Sequence, residues 1–358
     1  MTLAAVTIWL VWAALSAFVL VVDPYDVRPW GARSVLPGAF QPFEMDRLVR
    51  LAARDPEADL VLIGSSPTTP YTPDALRRVW PEARRPWNVS LHGGWAEDRF
   101  LTLNEFADRS NATHYLITVD FFLAARTPRA RPTFPFFLYD RTPVNDLRVL
   151  TPRAVADALR VLREGTPYPD GAAVERQEAE FNATVRDHHR LPYFRDLLDT
   201  AVRDGQAAMR RRSDATCADL PGVTAFMAGV GRLRARGARV DLLIPIYSSA
   251  VYYEWAQDPD RRRELGPAPL EDQLLMRRCV VVAAQAMGVA VHAADDDARL
   301  VNDLRNFRDP GHLSGEANLA AFIALPRDPA TRLTPDNFDA YAALVRANVL
   351  AFRPGRDW

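Results

Sequence analysis

The 358-residue chain contains no lysine, so all 44 of its basic side chains are arginine. Without lysine there is no glycine-rich loop ending in Lys-Ser or Lys-Thr, which excludes phosphate chemistry on a loop of that kind. The arginines are balanced by 45 acidic residues, and the net charge is −1. Because the charge is nearly neutral and the arginines are scattered, the sequence lacks the basic patch of a nucleic-acid-binding protein, and no nucleic-acid partner is predicted.

Cysteine is almost as scarce, since Cys217 and Cys279 are the only two. Their spacing fits no zinc pattern, so the sequence predicts either one disulfide or two thiols. An oxidising compartment would permit the bridge. The apolar helical stretch around Cys279 is equally compatible with a buried thiol, and the sequence leaves the two alternatives open.

Two clusters of metal-binding residue types lack the spacing that a metal site needs. Asp295-Asp296-Asp297 does not show the ordered alternation of a calcium loop and is typical of a solvated turn that caps a helix. The adjacent pair His188-His189 cannot present both rings on one helix face, so we interpret both as surface residues. No metal and no cofactor is expected.

A long apolar segment occupies residues 3 to 22, with no charged side chain and only two hydroxyl groups. At about 1.5 Å per residue, a helix of this length spans the roughly 30 Å hydrocarbon core of a bilayer. A cleaved signal peptide is the alternative, but no basic region precedes the segment and it ends in Val21-Val22-Asp23-Pro24 rather than small residues. We therefore predict a single transmembrane anchor over residues 1–23.

Two short motifs, far apart in the chain, contain residue types suited to nucleophilic catalysis. Gly64-Ser65-Ser66 follows the apolar run Leu60-Val61-Leu62-Ile63, which predicts a buried strand of a parallel sheet. Gly64 permits a sharp turn at the carboxyl edge of that sheet, where open α/β sheets usually bind ligands. The second motif, Asp309-Pro310-Gly311-His312, lies near the C-terminus.

A serine hydroxyl needs a base within hydrogen-bond reach and a third group that fixes the tautomer of the base. His312 is the candidate base, and Asp309 can accept its Nδ1 proton while Nε2 points at a serine. Either motif alone is an ordinary turn sequence. Together, separated by an α/β stretch and followed by a helix that opens at His312, they predict a Ser–His–Asp site in which Ser65 or Ser66 is the nucleophile.

The order of these motifs resembles that of the SGNH, or GDSL-like, hydrolase superfamily, which has a Gly-Asp-Ser block near the start and an Asp-x-x-His block near the end. The resemblance covers roughly residues 58–325, with a poorly matched middle. It implies that Ser66 is the nucleophile, with Ser65 where the family usually has Asp. It also implies an α/β three-layer sandwich with a mainly parallel sheet.

Two further blocks of that family bind the oxyanion. Asn88, Gly93 and Gly94 belong to a segment, Asn88-Val89-Ser90-Leu91-His92-Gly93-Gly94, that resembles the block whose backbone N–H stabilises the oxyanion. Where the family often has Gly-x-Asn-Asp, this chain has Asp120-Phe121-Phe122 after a predicted strand, so the usual Asn donor is missing. Asp120 is interpreted as a structural or pocket-wall carboxylate, with helix capping as the alternative. His92 is a further pocket candidate.

The rest of the chain divides by its pattern. Residues 24–57 predict a linker and a leading helix, and strands alternate with helices over 58–125, which indicates parallel βαβ units. Proline-rich loops and helical segments replace this alternation over 126–238, which predicts a helical insertion that either covers the site or is a structural cap. The sheet pattern resumes over 239–358. The chain is therefore one large α/β domain with an insertion, or two domains.

The resumed sheet adds further pocket candidates. The apolar strand Val240–Pro245 ends just before Tyr247 and Ser248. Because the carboxyl ends of parallel strands share one edge, these two side chains are expected near Ser66 and are candidates for an acyl or sugar pocket.

The surroundings of the motifs resemble membrane-anchored bacterial members of the superfamily that accompany alginate acetylation and teichoic-acid D-alanylation. This similarity implies an inner-membrane protein with a periplasmic domain, a glycan or acyl-ester substrate and a multi-pass membrane acyltransferase as partner. By the positive-inside rule, the arginines that follow the anchor would put the C-terminal domain on the cytoplasmic side. Long domains, however, cross membranes regardless of their charge. The expected function is transfer of an acyl group, such as acetyl, to an envelope or exported glycan. An esterase and a catalytically inactive glycan-binding protein are the alternatives.

Overall fold

The computed structural model describes residues 3–24, 44–91, 93–130, 139, 151–164 and 192–354. The strands are β1 (Leu60–Ile63), β2 (Pro86–Asn88), β3 (His114–Thr118), β4 (Arg239–Leu243), β5 (Ala290–His292), β6 (Phe307–Asp309), β7 (His312–Leu313) and β8 (Arg332–Leu333). The helices are α1 (Leu3–Val22), α2 (Glu44–Arg54), α3 (Pro73–Val79), α4 (Ala96–Arg109), α5 (Pro152–Glu164), α6 (Pro192–Met209), α7 (Pro221–Ala235), α8 (Ser249–Gln257), α9 (Pro259–Leu265), α10 (Pro269–Ala286), α11 (Ala298–Val301), α12 (Glu316–Ala324) and α13 (Phe338–Ala351).

Six strands form one sheet in the order β2-β1-β3-β4-β5-β8. All neighbours are parallel except β8, which pairs antiparallel with β5. The chain moves from β1 to β2 on one side and returns with β3 on the other side of β1, so the direction of the strand order reverses between β1 and β3. The protein is therefore an α/β protein, and the crevice at this reversal is where such sheets usually bind ligands.

The sheet is buried on both faces, as its uninterrupted apolar strands predict. Along β1, Val61 and Ile63 contribute to one apolar cluster, whereas Leu60 and Leu62 contribute to a second. Side chains of α4, α7, α10 and α13 belong to the first cluster, and those of α3 and α12 belong to the second. Helices therefore cover both faces, and only the edges of the sheet are open to form a site.

Two of the described helices between β3 and β4, α6 and α7, pack in the main core. Leu198 and Val202 of α6 and Phe226 and Val230 of α7 are all buried in the same apolar cluster as β3 and β4. These parts of the segment predicted as an insertion or cap thus belong to the sheet domain. The predicted helix over 172–186 and the pair His188-His189 lie outside the described residues.

A disulfide joins Cys217 to Cys279, which settles the alternative that the sequence left open. Cys217 begins a single helical turn before α7, and Cys279 is a buried residue of α10. The bond therefore fixes the connection between α6 and α7 to a helix of the core.

The end of the chain differs from the sequence-based expectation in two respects. His312 does not open a helix, because Asp309 pairs with His312 across the two-residue turn Pro310-Gly311, and β6 and β7 form a small antiparallel hairpin. The helix after His312 is α12, but the domain is closed by α13, which buries Phe338, Tyr341 and Val345. The sequence pattern missed the hairpin because a two- or three-residue strand is too short to show a period.

Helix α1 is long and apolar enough to cross a membrane. Most of its large side chains are exposed, among them Trp9, Leu10 and Trp12, whereas Val19 and Val22 near its C-terminal end are buried.

Removing the disulfide is expected to destabilise the protein. The two cysteines are 62 residues apart, and a cross-link over a loop of that length restricts the unfolded chain. We expect the Cys217→Ala, Cys279→Ala double variant to lose about 2–4 kcal/mol of unfolding free energy. Urea unfolding followed by circular dichroism measures the loss. The wild type in reductant is the matched control and should lose a similar amount; an unchanged midpoint in both would contradict the prediction.

Candidate active site

The carboxyl ends of β1, β3 and β4 meet at one edge of the sheet, next to the reversal in strand order. Ser66 follows β1, Asp120 follows β3 and Ser248 follows β4. The β6–β7 hairpin brings Asp309 and His312 to the same edge, because His312 reaches Ser66. Residues from four separate parts of the chain therefore converge where a doubly wound sheet usually places its ligand.

The turn after β1 requires glycine at position 64. A Cβ atom there would lie 1.6 Å from Thr68 Oγ1 and 3.0 Å from Ser90 Oγ, so no larger residue fits without moving the turn. Beyond Gly64, residues Ser66–Thr68 form a single 3-10 turn in which Thr68 N–H donates to Ser65 carbonyl oxygen at 2.9 Å. This tight turn leaves Ser66 only partly buried while Ser65 is buried.

Ser66, His312 and Asp309 form a continuous hydrogen-bonded chain. His312 Nε2 lies 2.8 Å from Ser66 Oγ, and His312 Nδ1 lies 2.6 Å and 2.8 Å from the two carboxylate oxygens of Asp309. With the Nδ1 proton donated to Asp309, Nε2 is free to accept the Ser66 hydroxyl proton. This arrangement can activate a serine as a nucleophile.

The hairpin that carries Asp309 and His312 is held at both ends. Ser248 donates from its backbone N–H and from Oγ to the carbonyl oxygen of Pro310, at 3.0 Å and 2.8 Å. Phe307 and Leu313, on either side of the turn, are buried in the second apolar cluster. Ser248, predicted as a pocket residue, instead positions the Pro310-Gly311 turn by linking it to the segment after β4.

Asp309 is held in its ionised form. Burial alone would raise its pKa, but the hydrogen bond and charge of His312, the Gly311 N–H donated at 2.9 Å and nearby Arg308 together keep the pKa below its ordinary value. A charged Asp309 can stabilise the imidazolium that forms when His312 takes a proton.

Ser65 and Asp120 belong to a second hydrogen-bonded chain, which lies in the interior of the protein. Ser65 Oγ donates to one oxygen of the Asp120 carboxylate, and Thr118 Oγ1 donates to the other at 2.6 Å. Arg99 of α4 donates to that second oxygen at 2.6 Å and to Ile63 carbonyl oxygen at 2.7 Å. Asp120 is 0% exposed and Arg99 3% exposed, so this ion pair lies wholly inside the protein.

These contacts distinguish the two candidate serines. The Ser65 hydroxyl is engaged by Asp120, whereas the neighbouring Ser66 hydroxyl faces His312. Asp120 neither lines a pocket nor caps the turn that follows it, since its side chain makes no capping bond. Its carboxylate instead anchors the residue next to Ser66, which is the structural role that the sequence allowed.

Of the residues predicted to bind an oxyanion, two are engaged elsewhere. Asn88 donates to the carbonyl oxygens of Thr68 and Tyr71 at 2.7 Å and 2.9 Å, so its amide fixes the turn after Ser66. Gly94 N–H donates to Leu91 carbonyl oxygen at 3.1 Å and is not available for a ligand. In this structure the side-chain amide of Asn88 and the backbone N–H of Gly94 are therefore used to form local turns.

Gly93 is the remaining backbone candidate. It has a φ of 58°, a left-handed conformation that favours glycine, and its backbone is exposed beside the loop after β2. Within the described residues no hydrogen bond uses its N–H. His92, which precedes it, lies outside the described residues.

Tyr247 is a core residue rather than an open pocket wall. Its ring packs edge-on against Phe121 and Trp255, with centroids 6.4 Å and 5.3 Å away, and only 4% of the residue is exposed. Burial, with a smaller effect from the Asp120 charge, raises its pKa well above the ordinary value. Tyr247 therefore stays a neutral phenol.

No group of three or more His, Cys, Asp or Glu side chains is arranged to hold a metal ion anywhere in the described part of the chain.

The aspartates of the Asp295-Asp296-Asp297 segment have different roles. Asp297 accepts from Arg299 N–H at the start of α11, as the predicted capping turn requires. Asp295 is instead buried and paired with Arg277 at 2.7 Å, because it faces α10 rather than solvent.

Two residues near the site gave no sequence signal. Arg99 lies within an amphipathic helix, where an arginine is ordinarily a surface residue. Glu254 of α8 sits near Asp309, and burial together with that charge raises the pKa of Glu254 to about 7. Neither belongs to a recognisable motif, because each acts through neighbours that are distant in sequence.

No protein-family model matches the chain, and no curated protein matches it. The fold and the geometry therefore define its class: an α/β protein with a mostly parallel sheet and a Ser66–His312–Asp309 hydrogen-bonded chain at the carboxyl edge.

The contact between Ser65 and Asp120 is expected to control the reactivity of Ser66. Ser65→Ala and Thr118→Val each remove one donor to the same buried carboxylate, so each should cost about 1–3 kcal/mol of unfolding free energy. Only Ser65 is bonded into the nucleophile turn. Ser65→Ala should therefore slow labelling of Ser66 by a fluorophosphonate about ten- to a hundredfold, and Thr118→Val should not. Equal labelling rates in the two variants would contradict this role.

Glu254 should make stability depend on pH. Its pKa is about 7 in the folded chain against an ordinary 4.5, so between these values the folded state binds more protons than the unfolded state. The contribution of Glu254 to the free energy of unfolding is therefore complete below about pH 4.5 and is lost as the pH rises to about 7. Between about pH 5 and 8, we expect the wild type to lose about 1–3 kcal/mol relative to Glu254→Gln.

Urea unfolding at both pH values measures this difference. Glu316→Gln, at an exposed position of α12, removes the same charge from the surface and controls for net charge. If the wild type and Glu254→Gln changed in parallel, Glu254 would not carry the pH dependence.

Proposed function

We propose that this chain is a serine-dependent acyl-ester enzyme, and specifically an O-acyltransferase that acts on an envelope or exported glycan. The observation that carries the proposal is the hydrogen-bonded chain from Ser66 Oγ through His312 to Asp309, with all three distances between 2.6 Å and 2.8 Å. A serine so placed, next to a crevice in an α/β sheet, is the arrangement required for acyl transfer.

In the first step, Ser66 Oγ attacks the ester carbonyl carbon while its proton passes to His312 Nε2. The carbonyl oxygen becomes an oxyanion, for which the backbone N–H groups of Ser66 and of the exposed Gly93 are the candidate donors. His312 then donates its proton to the departing alcohol oxygen. The products of this step are an acyl ester on Ser66 and a free alcohol.

In the second step, an acceptor hydroxyl loses its proton to His312 Nε2 and attacks the acyl carbon on Ser66. The bond between that carbon and Ser66 Oγ then breaks, and His312 returns the proton to Oγ. Transfer to a glycan hydroxyl gives an O-acylated sugar, and transfer to water gives a free carboxylic acid. The same residues serve an esterase, so the acceptor alone separates the two activities.

We also propose that the domain is a three-layer SGNH-type sandwich. The support is the strand order β2-β1-β3-β4-β5, the helices on both faces and the position of Ser66 after β1. The chain departs from that family at two positions, since Ser65 and Asp120 stand where the family usually has an Asp and an amide-bearing segment. Here the two are bonded to each other, so the carboxylate lies on β3 instead of beside the nucleophile.

The proposed setting is the inner membrane, with α1 as an uncleaved anchor and the domain on the periplasmic side. The apolar length of α1 supports the anchor, and the Cys217–Cys279 disulfide supports an oxidising compartment. A glycan acceptor and a multi-pass membrane acyltransferase that supplies the acyl group are the proposed partners.

A catalytically inactive glycan-binding protein is the second candidate. It is favoured by one observation: the described loops offer Gly93 N–H but neither Asn88 nor Gly94 as an oxyanion donor. A site with a weak oxyanion hole would lose several kcal/mol of transition-state stabilisation.

A fluorophosphonate probe separates these candidates. We expect the full-length protein in detergent to be labelled, and Ser66→Ala to be unlabelled because the attacking oxygen is gone. Asp309→Asn should label about 10⁴-fold more slowly, since His312 then adopts the wrong tautomer. Folding of each variant is checked by circular dichroism. Folded wild-type protein that resists labelling would contradict the proposal of an enzyme.

The acceptor is identified by following an activated acetyl ester by mass spectrometry. The protein is incubated with the ester alone and with acetyl-free oligosaccharides, and the mass of each oligosaccharide is measured. A gain of one acetyl group that requires Ser66 is expected for a transferase. Release of acetate without any acetylated sugar would replace the transferase by an esterase.

A further inference from the structure

The C-terminal end of α1 lies against α5. The two helices are in contact, and Val19 and Val22 in the last turns of α1 are buried while its earlier large apolar residues are exposed. If α1 spans a bilayer, its C-terminal end is where the chain leaves the hydrocarbon core. Helix α5 is therefore next to the level at which the membrane ends.

One face of α5 is suited to close helix packing. Ala154 and Ala158 are fully buried one turn apart, and Asp157 between them is buried as well. Small side chains at this spacing let two helix backbones approach closely. The described contacts of α5 are chiefly with α1, so the position of α5 follows that of the anchor.

A second stripe of α5 is apolar and is left exposed by the described residues. Leu159 is 57% exposed, Leu162 is 61% exposed, and Val155 is partly buried one turn before Leu159. The spacing of 155, 159 and 162 puts these side chains on one side of the helix, adjacent to the face packed on α1. Exposed arginines, Arg153 and Arg163, lie on the same helix.

We propose that α5 lies in the lipid–water interface, with Val155, Leu159 and Leu162 immersed at the boundary of headgroups and acyl chains. This inference rests on the membrane anchor proposed above. Arg163, exposed and adjacent to the stripe, lies at the level of the headgroups, whose anionic phosphates complement its charge, whereas Arg153 pairs with Asp157 on the face packed against α1. Three aliphatic side chains are too few for a stable protein interface, which buries about 800 Å² on each partner, whereas the bilayer is already adjacent to α5.

The interfacial contact gives the domain a fixed orientation. A single transmembrane helix leaves a domain free to rotate about its exit point, while a second contact with the same surface restrains that rotation. The edge of the sheet that contains Ser66 and His312 is then held at a fixed distance from the membrane and in a fixed orientation. This arrangement suits a substrate or partner that is itself in the membrane.

Spin labels measure the depth of α5 directly. Leu159→Cys and Leu162→Cys are made singly in the full chain, labelled with a nitroxide and reconstituted in vesicles that contain phosphatidylglycerol. The native cysteines are paired in the disulfide and leave no free thiol in the described residues. Collisions with oxygen, which concentrates in lipid, and with a water-soluble nickel chelate report the depth. We expect both labels about 5–10 Å below the headgroup surface.

Two matched positions calibrate the result. Leu344→Cys, on α13 and 50% exposed, should collide with the nickel chelate, and Leu15→Cys, on α1 and 42% exposed, should collide with oxygen. Labels at 159 and 162 that behave like the one at 344 would overturn the proposal even if the label at 15 is in lipid. Labels shielded from both reagents would show a protein contact and overturn it too. No acyl chemistry is measured, so failure here is distinct from failure of the proposed function.

Discussion

The buried ion pair between Arg99 and Asp120 connects helix α4 to two strands on which the site depends, β1 and β3. Arg99 comes from α4, bonds the last carbonyl of β1 and pairs with a carboxylate at the end of β3. Removing two charges from water is costly, and such a pair is tolerated only when further hydrogen bonds satisfy its remaining groups. Here Thr118 and Ser65 supply them, and the contact with Ser65 extends the buried network to the residue beside Ser66.

The second half of the site is fixed by different interactions. A two-residue turn sets the separation of Asp309 and His312, and Ser248 at the end of β4 holds the carbonyl at the tip of that turn. The turn that contains Ser66 follows β1, and the turn that contains His312 is held by Ser248 beyond β4; these two strands lie in one sheet on either side of β3. Because the strands cannot move independently of the core, the 2.8 Å contact between Ser66 and His312 is set by the sheet itself.

The carboxyl groups near the site differ in how their charge is compensated, from the interior of the protein to its surface. Asp120 is compensated by Arg99 in the interior, Asp309 is compensated by His312 at the surface of the crevice, and Glu254 nearby has a pKa of about 7. A carboxyl that is neutral at low pH and charged at higher pH alters the field around Asp309 without touching Ser66. The proposed membrane contact of α5 adds an external constraint, since it would orient this edge of the sheet relative to lipid.

Much of the architecture follows from local sequence. The apolar run before Gly64, the alternation of strands and helices and the Asp309–His312 turn are local patterns, and the corresponding elements lie within a few residues of the expected bounds. Tertiary structure decided that Ser66, as the family resemblance implied, and not Ser65 contacts His312, that Cys217 pairs with Cys279, and that Arg99 pairs with Asp120. Each of these depends on a partner distant in sequence, and a hydrogen bond or disulfide between distant residues is determined only when the packed core has placed their backbones.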